Sequence, residues 1–263
     1  MRNLYHTFQK PLPGSQIDLA HPLTQGLDYC YLCNEGSGAP VDLIGRGAAT
    51  MSSGAVWTGS QTGDALKFDG ISGSIAGTYQ NSATITLAAR IKTSATGIVQ
   101  ILAIKDSTTR TFQFRINPGN VAEMILFNAA SSAFFATGSQ VVTDGKEHLV
   151  VGTWDGVNAG IYVDGRLDTM TPLSFTLRTD GTSPLNLGAS VFYSLFFNGW
   201  IVWETAYRRA LSGPEIAWLS EENYAYIAPP TVRRFYSLPA SGGGGVSMSG
   251  GLSIGAGRLG VGI

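Results

Sequence analysis

Residues 146–167, KEHLVVGTWDGVNAGIYVDGRL, bring together His148, one of three histidines in the chain, with Asp155, Asp164 and Trp154. These are the residue types of an acid–base or nucleophilic site. A histidine does such work only beside a nucleophile or an orienting carboxylate. The sequence places no serine or carboxylate partner beside His148. Both aspartates precede glycine, nine residues apart, and extended-chain residues stand before each: Leu149, Val151 and Trp154, then Ile161, Tyr162 and Val163. Asp-Gly steps accept the positive φ of tight turns, so this spacing predicts hairpin turns and a structural His148.

Other chemistry is equally thin. A glycosidase needs paired carboxylates, commonly at alternate positions of one strand. The seven glutamates are Glu35, Glu123, Glu147, Glu204, Glu215, Glu221 and Glu222, and only the last two adjoin, so no enzyme is expected and a glycosidase is the least favoured reading. Cys30 and Cys33 have C-x-x-C spacing, but no second pair follows and two thiolates do not make a zinc site. Positions three apart on a strand point to opposite faces, where a disulfide would be strained, so buried thiols are expected.

The aromatic run SVFYSLFFNGWIVW holds the better candidates for binding: Phe192, Tyr193, Phe196, Trp200 and Trp203. Strand alternation puts Trp200 and Trp203 on opposite faces, leaving at least one outside the main core. Exposed aromatic rings serve either a glycan or a subunit interface, and the interface is the preferred reading.

The elements that must position these residues follow from composition and period. With 263 residues, 44% hydrophobic and 13% charged, and 34 glycines, the chain can bury a large core as one all-β domain of short strands and turns. Strands are expected near 27–33, 65–69, 84–92, 98–105, 110–117, 121–127, 133–137, 147–154, 159–165, 185–189 and 199–207. In RTFQFRIN, Phe112, Phe114 and Ile116 share one face. One short helix is expected in SGPEIAWLSEEN, with Ser212 as N-cap and Glu215 three residues later, burying Ile216 and Leu219.

Three regions separate: an arm over 1–20, a body over 21–227, and a Pro/Gly-rich arm over 228–263. Net charge is −1, but Arg2, Lys10 and Asp18 at one end and Arg233, Arg234 and Arg258 at the other leave the ends at +4 and the body at −5. Basic arms on an acidic body fit docking on neighbouring copies. In the tail, Val246, Met248, Leu252 and Ile254 share one parity and Leu259, Val261 and Ile263 the other, with the slip at Gly257. That alternation predicts strands that add to a neighbouring surface. No window has the apolar run of a membrane span, and the N-terminus lacks the apolar core of a secretory leader, so synthesis in a host cytoplasm is expected. No nucleic-acid partner is expected.

Five stretches, GLDYCYLCNEGSG, ALKFDG, KEHLVVGTWDGVNAGIYVDGRL, LNLGA and FFNGWIVWETAYRRALSGPEI, stand in the order and spacing of the concanavalin A-like jelly roll of the laminin G type, which the chain resembles over most of 21–222. The resemblance implies a β-sandwich of two antiparallel sheets, with His148 and Trp154 on a scaffold strand. HPLTQGL and ENYAYIAPP resemble the flanks of such jelly rolls in tailed-bacteriophage and prophage proteins, which implies a virion component. The expectation is a non-catalytic virion structural protein at capsid, neck or tail, oligomeric, held by strand-donating arms to copies of itself and other virion proteins. The alternative is a lectin-like module for host-surface glycan. Relatives often bind calcium through an aspartate in FDG, here Asp69, and a second acid at the position of Val202. Replacing that carboxylate by an isopropyl group removes a ligand, so no cofactor is expected and Asp69 is a weak calcium candidate.

Overall fold

The computed structural model describes residues 10–45, 49–60, 63–97, 100–105, 109–181, 184–190 and 193–228, and strands at 234–236, 250–254 and 257–259. The first strands are β1 (Gln16–Ile17), β2 (Leu27–Tyr31), β3 (Thr50–Met51), β4 (Ala55–Ser60), β5 (Gly63–Asp69), β6 (Ile75–Gly77) and β7 (Ile85–Lys92). Next come β8 (Gln100–Lys105), β9 (Phe112–Ile116), β10 (Val121–Phe127), β11 (Ala133–Val141), β12 (Glu147–Trp154), β13 (Asn158–Val163) and β14 (Arg166–Pro172). The remainder are β15 (Leu185–Leu187), β16 (Ala189–Ser190), β17 (Leu195–Phe196), β18 (Asn198–Tyr207), β19 (Ile227–Ala228), β20 (Arg234–Tyr236), β21 (Gly250–Ile254) and β22 (Gly257–Leu259). One α-helix, α1 (Gly213–Glu221), precedes β19.

Two antiparallel sheets make the sandwich. Seven strands run in the order β11-β10-β9-β8-β15-β6-β3, and seven of the eight in the other run β14-β13-β12-β7-β18-β5-β4, with β2 also paired to β18. Alternation decides which side chains fill the space between them. Phe112, Phe114 and Ile116 turn inward as their spacing predicts, and meet Leu87, Ile91, Trp154 and Ile161 of the opposite sheet. A second core covers the outer face of the eight-stranded sheet, where Ala88, Leu149, Val151, Trp203 and Tyr207 pack under Ile216 and Leu219 of α1 and Tyr224 and Tyr226 beyond it. Burying each of those two helical side chains contributes on the order of 2 kcal/mol.

The helix begins where its cap requires. The Ser212 amide and hydroxyl both donate to Glu215 Oε2 at 2.8 Å, and Arg209 grips the same carboxylate through both Nη atoms at 3.0 and 2.7 Å. The Arg209 guanidinium, acting against burial, holds Glu215 down to about 2.

Two features depart from simple alternation. A bulge falls between Ile201 and Trp203, where β18 pairs with β7. The extra residue resets the parity, so Trp200, Val202 and Trp203 all belong to the outer core while Ile201 faces inward. Trp200 and Trp203 therefore share a face, contrary to the sequence expectation. At the same point the other edge of β18 changes partner, from β5 over Asn198–Ile201 to β2 over Glu204–Tyr207. Strand pairing cannot satisfy the carbonyls at such a fork. Lys10 does so: its buried ammonium donates to the carbonyls of Cys33 (2.8 Å), Asp64 and Val202. Further along the expected N-terminal arm, Gln16 pairs with Ala228 and Ile17 with Ile227, so 10–20 lies against the jelly roll.

Candidate functional site

His148 has partners that its sequence did not reveal. Nδ1 lies 2.8 Å from Asp164 Oδ2 and Nε2 lies 3.0 Å from Asp144 Oδ1. The hydrogen bonds to Asp164 and Asp144 outweigh burial and raise its pKa, which favours an imidazolium clamped between two carboxylates. Asp164 Oδ1 also accepts the Leu149 amide at 2.9 Å, and its φ of 50° forms the Asp-Gly turn. Asp155 accepts the amides of Val157 and Asn158 at 2.8 and 2.6 Å. A base whose two nitrogens are both engaged holds no proton site open for a substrate, so the cluster is a staple across the β12–β13 hairpin.

The cysteines follow the same logic. Both are free and buried, Cys30 in the outer core and Cys33 in the inner one, on opposite faces as their spacing requires. Burial pushes both thiols up, Cys33 to about 12, far from a reactive thiolate.

Asp69 is a turn residue. Its carboxylate accepts the amides of Ile71, Ser72 and Gly73 at 2.8–2.9 Å and the Ser72 hydroxyl at 2.9 Å. Those bonds outweigh burial and hold it at about 2. Val202, where the resemblance would place a second acid, is buried. Among the described residues, no three His, Cys, Asp or Glu side chains gather as a metal site would require.

Several acids are equally committed. Glu123 accepts from Arg115 (2.6 Å), Asn117 (3.2 Å) and Thr137 (2.9 Å) on the outer face of the seven-stranded sheet. Glu35 accepts the amides of Asn34 and Val41. Glu204 is 1% exposed, with the Tyr29 hydroxyl donating to Oε1 at 3.1 Å. Burial lifts its pKa well above the ordinary carboxylate value.

Trp200 has a different setting. Strand register aligns Val56, Lys67, Trp200, Lys92 and Glu147 in one row across β4, β5, β18, β7 and β12. Directly opposed residues share a face, so this row crosses the outer surface of the eight-stranded sheet. Lys67 and Lys92, from the strands on either side of β18, hold their ammonium groups 5.0 and 5.9 Å from the indole centroid, within cation–π reach. Two clefts adjoin the row. One, about 300 Å³, is lined by Gly59, Ser60, Lys92, Glu147 and Trp200. The other, about 390 Å³, is lined by Ser53, Gly54, Val56, Lys67, Phe68, Asp69 and Asn198. Glu147 Oε2 meets Arg90 Nε at 3.2 Å, whereas its Oε1 is buried without a hydrogen-bond partner. An aromatic plane, two ammonium groups and a cleft-lining carboxylate are the ingredients of a polar ligand site.

The remaining sequence candidates disperse. Trp203 is 1% exposed inside the outer core and closed to any ligand. Tyr193 is 36% exposed, and the Arg110 guanidinium lies 4.9 Å from its ring. Phe196 is half-buried in the short β16–β17 pair, and Phe192 lies outside the described residues. In the tail, Arg234, Leu252, Ile254 and Leu259 fall in strands that pair with one another: Arg234 with Leu252, Leu252 with Leu259, Ile254 with Gly257. The parity slip marks a hairpin, because antiparallel pairing across a two-residue turn sets even positions against odd ones. These strands form a three-stranded sheet of their own, β20-β21-β22. Arg233, Val246, Met248, Val261 and Ile263 lie outside the described residues. Nothing in the sequence pointed to Lys67, Lys92 or Glu147; only cross-strand register brings them together.

Comparison with known proteins matches residues 60–217 to the family described as the concanavalin A-like lectin/glucanases superfamily, of the laminin G type. No curated protein sequence matches. Among solved structures, domain 4 of an extracellular GH43 arabinanase from Geobacillus stearothermophilus, in complex with arabinotriose, is similar at TM-score 0.60 and 16% identity, over 74% of this chain and 98% of that one. The binding domain of Paraclostridial Mosquitocidal Protein 1 aligns at TM-score 0.59 and 10% identity, over 87% of this chain and 64% of that one. The binding domain of Botulinum Neurotoxin DC in complex with SialylT aligns at 0.59 and 12%, over 76% and 51%. The chain thus spans the whole arabinanase domain but only about half to two thirds of the two toxin domains.

Proposed function

The chain belongs to the concanavalin A-like lectin/glucanases superfamily, and from that premise we propose that it is a non-catalytic adhesion module whose jelly roll binds carbohydrate on the outer face of its eight-stranded sheet. The carrying observation is the row Lys67–Trp200–Lys92–Glu147 with a cleft on either side. Sugars need an apolar plane beside directed hydrogen-bond groups, and this row supplies both. The arabinanase domain with arabinotriose and the toxin domain with SialylT support the same reading. Non-catalytic action is supported by the fate of Glu35, Glu123, Glu204 and Glu215, each tied into local structure or burial. A glycan array probed with the full chain tests the proposal. Binding to at least one saccharide class, weakened tenfold or more by Trp200→Ala with unchanged near-ultraviolet circular dichroism, is expected. A silent array sinks it. Release of reducing ends from a bound glycan would sink the non-catalytic part.

A virion structural role is the second reading, with the module displayed on a tailed-phage particle and anchored by its ends to copies of itself or to other virion proteins. It is favoured by the pairing of β1 with β19, which brings 16–17 beside 227–228, and by the sheet β20-β21-β22 formed outside the sandwich. Both ends of the body thus leave from one place, which suits a single attachment point. Deleting residues 241–263 should change oligomeric state in solution or incorporation into particles; neither changing would reject it.

A further inference from the structure

We infer that the cleft beside Trp200 selects an acidic saccharide, a sugar whose ring carries a carboxylate next to free hydroxyls, as in a uronic acid unit. This rests on the carbohydrate-binding reading above and specifies its ligand. The cleft of about 300 Å³ is lined by Lys92, Glu147, Trp200, Gly59 and Ser60. Each polar group in it makes a separate demand. The Glu147 side chain is 8% exposed, and its Oε1 is buried without a partner although Oε2 is held by Arg90. A carboxylate only accepts, so any ligand group that meets Glu147 in the cleft must donate. Lys92 only donates and pairs with no carboxylate among the described residues, so the same ligand must also bring an acceptor, best of all a charged one.

An inorganic anion would serve Lys92 but meet repulsion from the neighbouring Glu147 carboxylate. A neutral sugar would donate to Glu147 through a hydroxyl yet leave the Lys92 ammonium without a counter-charge. A uronic acid unit meets both demands of the cleft at once: a hydroxyl donates to Glu147, and the carboxylate pairs with Lys92 beside the indole. Lys92 lines this cleft, while Lys67 stands across Trp200 on the other side of β18 and lines the neighbouring one.

Calorimetric titration of the full chain tests this with trigalacturonate, a glucuronate-containing hyaluronan hexasaccharide, the methyl ester of trigalacturonate, and sodium sulfate. At 50 mM NaCl at least one acidic oligosaccharide should bind tenfold or more tightly than the neutral ester, and the gap should narrow at 500 mM NaCl. Lys92→Met should erase the gap and spare ester binding, while Glu147→Gln should weaken acid and ester alike. Thermal melts of both variants check that the fold is kept. Equal affinity for acids and ester, or a gap untouched by Lys92→Met, overturns the inference alone. Tighter binding of sulfate than of any saccharide also overturns it. Failure of every saccharide, here and on the array, would instead remove the carbohydrate reading on which it stands.

Discussion

Replacing Lys10 with methionine tests how the forked sheet is held together. The ammonium serves three backbone carbonyls, of Cys33, Asp64 and Val202, where β18 passes from β5 to β2. Two effects oppose each other in Lys10→Met. Methionine spares the cost of burying a charge: desolvation, only partly offset by Cys33, Glu35, Asp64 and Glu147, lowers the lysine from 10.5 to about 8. That displacement corresponds to about 3 kcal/mol. Against it, three buried carbonyls lose a charged donor, at roughly 1.5–3 kcal/mol apiece. The second effect is larger, and the variant should lose about 2–5 kcal/mol at pH 7. Urea unfolding followed by tryptophan fluorescence reads this directly.

The pH dependence of the same variant gives an independent check. Between about 8 and 10.5 the native protein has released the Lys10 proton while the unfolded chain keeps it, so this group makes stability rise with pH. Its contribution is therefore greatest above 10.5 and is lost as pH falls through about 8. The gap between wild type and Lys10→Met should widen by up to about 3 kcal/mol across that window. A variant as stable as wild type at pH 7, with a parallel pH profile, would refute the account of the fork.

Two further groups give predictions of different sign. Glu204 is buried and its pKa is raised by burial, so the native state retains a proton that the unfolded chain loses above the ordinary value of 4.5. Stability should fall as pH rises from 4.5 through the native value, and Glu204→Gln should abolish that slope in denaturant titrations from pH 4 to 8; identical slopes would count against a neutral Glu204. The His148 clamp works in a window set by its three members. His148 is raised, so its contribution is complete below 6.5 and disappears as pH climbs through its native value, while Asp144 and Asp164 are lowered and lose theirs as pH falls below 3.8. His148→Gln should cost roughly 1 kcal/mol at pH 5.5, reduced by the partial solvent exposure of the aspartates, and much less at pH 9. Equal losses at the two pH values would show that the imidazole acts through packing alone.

Much of the architecture was legible in the residues because it depends on short-range rules. Alternation placed Phe112, Phe114 and Ile116 in the inner core and sent Cys30 and Cys33 to opposite faces, since a strand turns its side chains over at every residue. Ser212 and Glu215 announced the start of α1, and each Asp-Gly pair its turn, because caps and turns close within a few residues. The order of motifs was enough for the sandwich, and the family match over 60–217 agrees with it.

Register and exceptions to alternation belong to the tertiary structure. The bulge at Ile201–Trp203 moved Trp203 onto the face of Trp200 and buried it, a change imposed by pairing with a strand more than a hundred residues earlier. Val56, Lys67, Lys92, Glu147 and Trp200 carry no common motif; they form a row only because five strands stack in one register. The same holds for Lys10, an unremarkable residue of a proline-bearing arm until the fork between β5 and β2 offers its ammonium three carbonyls. A residue's own neighbours determine which way it turns. Which distant strand lies beside it is decided only when the whole core closes, and the candidate site is made entirely of that second kind of information.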